Sequence, residues 1–204
     1  IHNDGNNVNK SGHVRVYQYA NNTWTQLGSD IDGEETNDYS GRSVSISSDG
    51  TKVAIGSSSH NGNQGNVRIY QYANNSWTKV GADIDGKFSY SEFGFSVSLS
   101  SDGTKVAIGS PGTAASRGAV SLFEYANNSW TQLGSDIDGI RAGDRFGYSV
   151  SLSGDGTRVV IGGPFNDDFK DNAGHARIYD YTNNSWTQLG GYDFLGEDDN
   201  VNFG

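Results

Sequence analysis

The residues of this chain that could do chemistry are four histidines, twenty-four carboxylates, four tryptophans and a set of Asn-x-Ser/Thr tripeptides. Nucleophilic catalysis needs a serine, a histidine and an acid converging at one place. The histidines, His2, His13, His60 and His175, instead fall in loops or on a recurring strand, and His13 and His175 share a position that holds Asn66 and Ala119 elsewhere. That tolerance suits a surface or packing role. Glycoside hydrolysis needs two placed carboxylates, yet nothing singles out a pair among the many aspartates, and no arginine triad of the sialidase kind is evident. With no cysteine and no methionine, thiol nucleophiles, thiolate metal sites and disulfides are excluded. The expectation is therefore no catalytic residues and no enzyme, with a glycoside-processing enzyme as a remote alternative.

Modification is the chemistry that remains. Asn21, Asn74, Asn127 and Asn183 each open an N-x-[ST] acceptor, and Asn9 opens a fifth that is not repeated. The bland reading is that Asn-Asn serves turn geometry and the following hydroxyl is incidental. The tryptophans admit two readings as well, platforms on which sugars stack or packing residues, and one at a fixed strand position in every copy favours packing.

What positions these groups is a repeat. Trp24, Trp77, Trp130 and Trp186 stand 53, 53 and 56 residues apart, inside the segments NNTWTQLGSDIDG, NNSWTKVGADIDG, NNSWTQLGSDIDG and NNSWTQLGG. The three extra residues lie in GPFNDDFKDNAG, between Gly162 and Tyr179, where a loop absorbs them. Within each copy the apolar period is two, giving four short strands such as Arg42–Ser47, Lys52–Ile55, Val14–Tyr19 and Trp24–Leu27. Ser-Asp-Gly-Thr joins the first two and Asn-Asn the last two, both suited to the positive φ of tight hairpins. No segment reads as a helix, and Asp30-Ile-Asp-Gly33 with its copies reads as a connector turn. Four antiparallel strands per roughly 50 residues is the arithmetic of a β-propeller blade. The expected fold is all-β, a propeller of four-stranded antiparallel blades with a period of about 53 residues and about four blades covered. The divisions are an incomplete blade 1–33, blades 34–86, 87–139 and 140–196, and the start of another at 197–204.

Glu92–Ser100 (EFGFSVSLS) and Arg145–Ser153 (RFGYSVSLS), followed by Val106–Pro111 (VAIGSP) and Val159–Pro164 (VVIGGP), resemble FG-GAP repeats. The resemblance runs along essentially the whole chain, with departures at Tyr39-Ser-Gly41 and Ile55–Ser58. FG-GAP repeats build the propeller at the head of integrin alpha subunits and similar domains of microbial and algal surface proteins. The resemblance therefore implies extracellular binding, adhesion or assembly. Many relatives carry a calcium loop between the first two strands, but here that turn holds one aspartate, too few oxygens for a hard cation. No metal site and no cofactor are expected. The inserted loop 164–173 has oxygens, yet Lys170 sits among them and no acid closes it, so it reads as a solvated loop.

A net charge of -10 would repel a phosphate backbone or an anionic membrane, and no apolar run approaches the roughly 20 residues a membrane helix needs. Two function classes follow. The first is a non-catalytic extracellular or cell-surface module that binds a protein partner, or neighbouring copies of the same protein, in adhesion or in building a surface structure or filament. The second is a multivalent glycan-binding lectin. Third-plus-fourth strand pairs occur four times and first-plus-second pairs three times, which leads to the expectation of an interior piece of a longer propeller or array.

Overall fold

The computed structural model describes residues 10–167 and 171–204. His2, Asn9 and, in the inserted loop, Asp168, Phe169 and Lys170 lie outside the described residues. Three complete blades are four-stranded antiparallel meanders. The first joins Ser43–Ile46, Lys52–Ser57, Asn66–Ala73 and Ser76–Lys79. The second joins Ser96–Leu99, Lys105–Ser110, Ala119–Ala126 and Ser129–Gln132; the third joins Ser149–Leu152, Arg158–Gly163, His175–Thr182 and Ser185–Gln188. Ahead of them Tyr17–Ala20 pairs with Thr23–Gln26, the outer half of a further blade.

Each third strand is eight residues long, but the fourth covers only its second half. The uncovered half pairs instead with the segment expected to be a connector turn. Ile84–Asp85 lies on Asn66 and Val67, and Ile137–Asp138 on Ala119 and Val120. Phe194–Leu195 does the same with His175 and Ala176. A fifth, two-residue strand therefore satisfies backbone groups that would otherwise be left open, and it buries Ile84 and Ile137.

The core lies between blades rather than inside any one of them. Ala54, Val67, Ile69 and Ile84 pack on Phe93, Val97, Leu99, Val106 and Ile108 of the following blade, and the next interface repeats the pattern. Both faces of a blade are buried this way, so Val106, Ala107 and Ile108 are all inaccessible in succession. The serines of the first strands fasten neighbours together. Ser45 Oγ accepts from Leu99 N and Ser98 Oγ from Leu152 N, both at 2.9 Å, while Ser96 Oγ donates to Gly147 O at 2.8 Å. A parallel bridge joins Gly65 to Phe93 and Gly118 to Phe146, so the Phe-Gly dipeptide is the point where one blade hooks onto the one before it. At the two ends of this row the corresponding surfaces are uncovered: Val44 is 54% exposed where Val97 is 8%.

Two single helical turns, His60–Asn63 and Thr113–Ser116, were not expected from the sequence. Their inner residues are left-handed. Asn61, Gly62 and Asn63 have φ of 48, 68 and 63°, residue types that accept this region cheaply, whereas Ala114, Ala115 and Ser116 adopt φ of 50, 58 and 60°. An L-residue with a Cβ loses about 1–2 kcal/mol there and glycine does not. Ala115→Gly, which copies Gly62 of the preceding blade, is expected to stabilise the protein by about 0.5–1 kcal/mol. A thermal melt that moves down would contradict this.

Candidate functional site

Antiparallel strands put the first–second and third–fourth connections at one end of every blade, and the second–third and inter-blade connections at the other. The first end is uniform. In Ser47–Thr51 the Asp49 carboxylate accepts from Ser47 Oγ at 2.6 Å and from Thr51 N at 2.9 Å, which closes the turn on itself. Lys52 Nζ reaches across to Asp102 O of the next blade at 2.8 Å. At the same end sit the Asn-Asn hairpins, where Asn21, Asn74, Asn127 and Asn183 have φ of 50 to 51° and the asparagine after each has 59 to 62°. Two consecutive positive φ values are the requirement of a type I′ turn, so turn geometry accounts for both asparagines. All eight are exposed at the tips, open to modification; Asn9 is not among the described residues.

These turns also fix an acid response. Hydrogen bonds from the hydroxyls of Ser47 and Ser153, and then from the amides of Thr51 and Thr157, hold Asp49 and Asp155 down at about 2. Arg177 likewise lowers Asp193. Carboxylates depressed in the folded state stabilise it fully above their unfolded value, near 3.9, and lose that contribution as pH falls through the folded value. Stability measured by urea melts is expected to be level from about pH 7 to 5 and to fall between about pH 4 and 2. A level profile down to pH 2 would contradict the assignment.

Three of the four tryptophans are consumed in packing between blades, and Trp24 is exposed. Trp77, Trp130 and Trp186 each donate Nε1 to a backbone oxygen of the preceding blade, Leu27 O, Val80 O and Leu133 O, at 2.7 to 2.8 Å. The tyrosine opposite lies against each ring, tilted by 43 to 46°, with centres 4.9 to 5.1 Å apart. His175 is also a packing residue, fully buried and parallel to the Phe146 ring at 5.5 Å.

The opposite end differs from blade to blade. Asp38, Ser91 and Asp144 occupy one buried position before the first strand. Asp38 Oδ1 meets His60 Nδ1 at 2.9 Å, with Glu35 Oε2 3.8 Å from the same nitrogen. Ligand atoms of these three groups lie within 4.8 Å of one another, a grouping whose composition suits a transition metal. In the third blade the same two loops are tied by Asn166 Nδ2 donating to Asp144 Oδ2 at 2.9 Å, so the contact at this position is a loop fastener in both. Sequence reading missed it because 38 and 60 are 22 residues apart and neither stands in a motif. This end also exposes Phe88, Tyr90 and Ile140, large apolar residues of the loops on either side of the second complete blade.

A third set of contacts lies just inside this end. Arg15, Arg68 and Arg177 pair with Asp30, Asp83 and Asp193 at 2.6 to 2.7 Å. In the second complete blade the arginine position is Ser121, which donates to Asp136 Oδ1 at 2.6 Å, and Lys87 supplies the positive charge at 2.8 Å.

Inter-blade cores, four-stranded meanders and a fixed repeat define a β-propeller. Residues 138–179, from the short fifth strand of one blade into the third strand of the next, are an FG-GAP repeat. No curated protein sequence matches the chain. Among solved structures it is similar to a candidate 6-phosphogluconolactonase of Bacteroides uniformis, with 11% identity and a TM-score of 0.60 over 91% of this chain and 49% of that one. It is also similar to the hydrazine synthase of Kuenenia stuttgartiensis, with 14% identity and a TM-score of 0.56 over 92% and 44%. A candidate 6-phosphogluconolactonase of Bacteroides fragilis has 16% identity and a TM-score of 0.52 over 74% and 38%. The chain thus spans half or less of the length of these structures, and at such identities the likeness is one of fold.

Proposed function

We propose that this propeller is a non-catalytic extracellular module that binds a protein partner through the variable end of its blades, in adhesion or in assembling a surface structure. The observation that carries the reading is the contrast between the two ends. Blades nearly identical in their strands and tight turns differ where Phe88, Tyr90, Ile140, His60 and the Ser121 position lie. Binding surfaces are made by variable loops held on a rigid scaffold. The uniform end carries the acceptors Asn21, Asn74, Asn127 and Asn183, where N-glycans would project away from the partner. The lectin reading is weakened because three of the four tryptophans have their ring nitrogens committed between blades.

The test is affinity capture from the secreted and surface proteins of the source organism, beside a glycan array. Phe88→Ala with Tyr90→Ala is expected to lose the captured protein, while Asn74→Gln with Asn127→Gln keeps it. Capture lost only in the asparagine variants, or array binding with no protein captured, would overturn the reading.

A further inference from the structure

The second complete blade loses a large polar side chain at two positions of its third strand. Where the others carry His13, Asn66 or His175 it has Ala119, and where they carry Arg15, Arg68 or Arg177 it has Ser121. Residues two apart on a strand share a face, so two large polar side chains are missing side by side. Their surroundings remain. Asp136 stands where Asp193 accepts from Arg177 Nε at 2.8 Å and from Nη2 at 2.6 Å. Phe93 stands where the Phe146 ring lies 5.4 Å from the Arg177 guanidinium carbon. The space left is a recess of about 50 Å³ whose lining includes Lys87, Phe88, Ser91, Phe93, Ser121 and Asp136.

The recess is small and open at its mouth. A flat group of a few heavy atoms, such as a guanidinium with its one carbon and three nitrogens, suits its floor. The lining matches as well: a carboxylate for paired N–H donors, hydroxyl acceptors, and an aromatic face for the planar cation. We propose that this recess binds the arginine side chain of a protein partner, reproducing from outside the contact that the sibling blades make with an arginine of their own. The inference rests on the protein-binding reading above. Lys87, half exposed, holds Asp136 Oδ2 at 2.8 Å in the meantime. It occupies the position of Glu34, whose carboxylate lies 3.0 Å from Arg68 Nη2, so an entering guanidinium displaces the flexible Lys87 ammonium from Oδ2 and turns the Ser121 hydroxyl away from Oδ1, while Gln132 stays on Asp136 as Gln188 stays on Asp193. The net charge of -10 favours a basic partner segment.

The test is an amide NMR titration of the full chain with Nα-acetylarginine amide, and with the citrulline and lysine counterparts. Arginine is expected to shift Phe93, Thr113 and Ser121 saturably, and citrulline to leave them unmoved. Asp136→Asn removes the effect, and Lys87→Glu, which copies Glu34, tightens binding about tenfold. Ser121→Arg copies the sibling blades, keeps the fold, fills the recess and abolishes binding. Equal shifts from citrulline, no shift on this blade, or undiminished binding in Ser121→Arg would overturn the proposal. Partner capture that survives Ser121→Arg but not the Phe88 and Tyr90 changes overturns the recess alone. Arginine binding without any captured protein overturns the wider reading alone.

Discussion

Trp130→Ala is expected to lower the unfolding free energy by about 3 kcal/mol, at the lower end for a large aromatic packed in a core because the ring is half-buried. Three losses combine: the contact with the tilted Tyr125 ring at 5.1 Å, the bond from Nε1 to Val80 O at 2.8 Å, and the packing of the ring over Gly81. Val80 O is left without that donor at a blade interface, which adds the desolvation penalty of an unpaired carbonyl. The same change at Trp24 provides the control. That ring keeps its tyrosine, Tyr19, at 5.1 Å, but it is 67% exposed and, among the described residues, reaches no carbonyl of a preceding blade. Trp24→Ala is expected to change stability by less than about 1 kcal/mol. Urea melts of the two variants decide it: equal losses would mean that the tryptophans act within their own hairpins and not between blades.

Gly118→Ala is expected to destabilise by more than about 3 kcal/mol. The backbone at Gly118 has φ of 83°, and a Cβ there would drive into the carbonyl oxygen and amide of Phe146, the pair that makes the bridge to the next blade. Neither atom can rotate away, because both belong to the chain that hooks the blades together. Gly143→Ala is the comparison. Its φ is 93°, but open space surrounds the missing side chain, so only the conformational term of about 1 kcal/mol applies. If the two variants melt together, the close approach at Gly118 carries no weight.

The period, the four strands, the two turn dipeptides and the propeller architecture could all be read from the chain, because each rests on local pattern repeated several times. That the tryptophans pack could be read as well, but not what they bond to. Recurrence of Trp77 and Trp130 says that the position matters, but the acceptor is a backbone oxygen 50 residues upstream, which no side-chain pattern announces. The pairing of Ile84–Asp85 was hidden for a related reason: two residues are too few to show alternation, and the cause is the length mismatch between the third and fourth strands. The helical turns were obscured by alanines at Ala114 and Ala115, residue types that do not advertise positive φ. The recess was visible only as Arg68 becoming Ser121. It acquired meaning once Asp136 and Phe93 were seen to keep the places of an arginine's partners.

The tryptophan bonds also bear on the order in which the blades can close. Every one runs from a later blade to a carbonyl of the blade before it, and Phe93 and Phe146 likewise bridge back to Gly65 and Gly118. As the chain emerges from the ribosome, each new blade meets a predecessor whose tryptophan acceptors are already in place, while the bonds from Ser96 Oγ to Gly147 O and from Lys52 Nζ to Asp102 O run the other way and close when the later blade arrives. Domains and repeats made N-terminal first can fold in that order. The row can therefore close one blade at a time, and its assembly can keep pace with its synthesis.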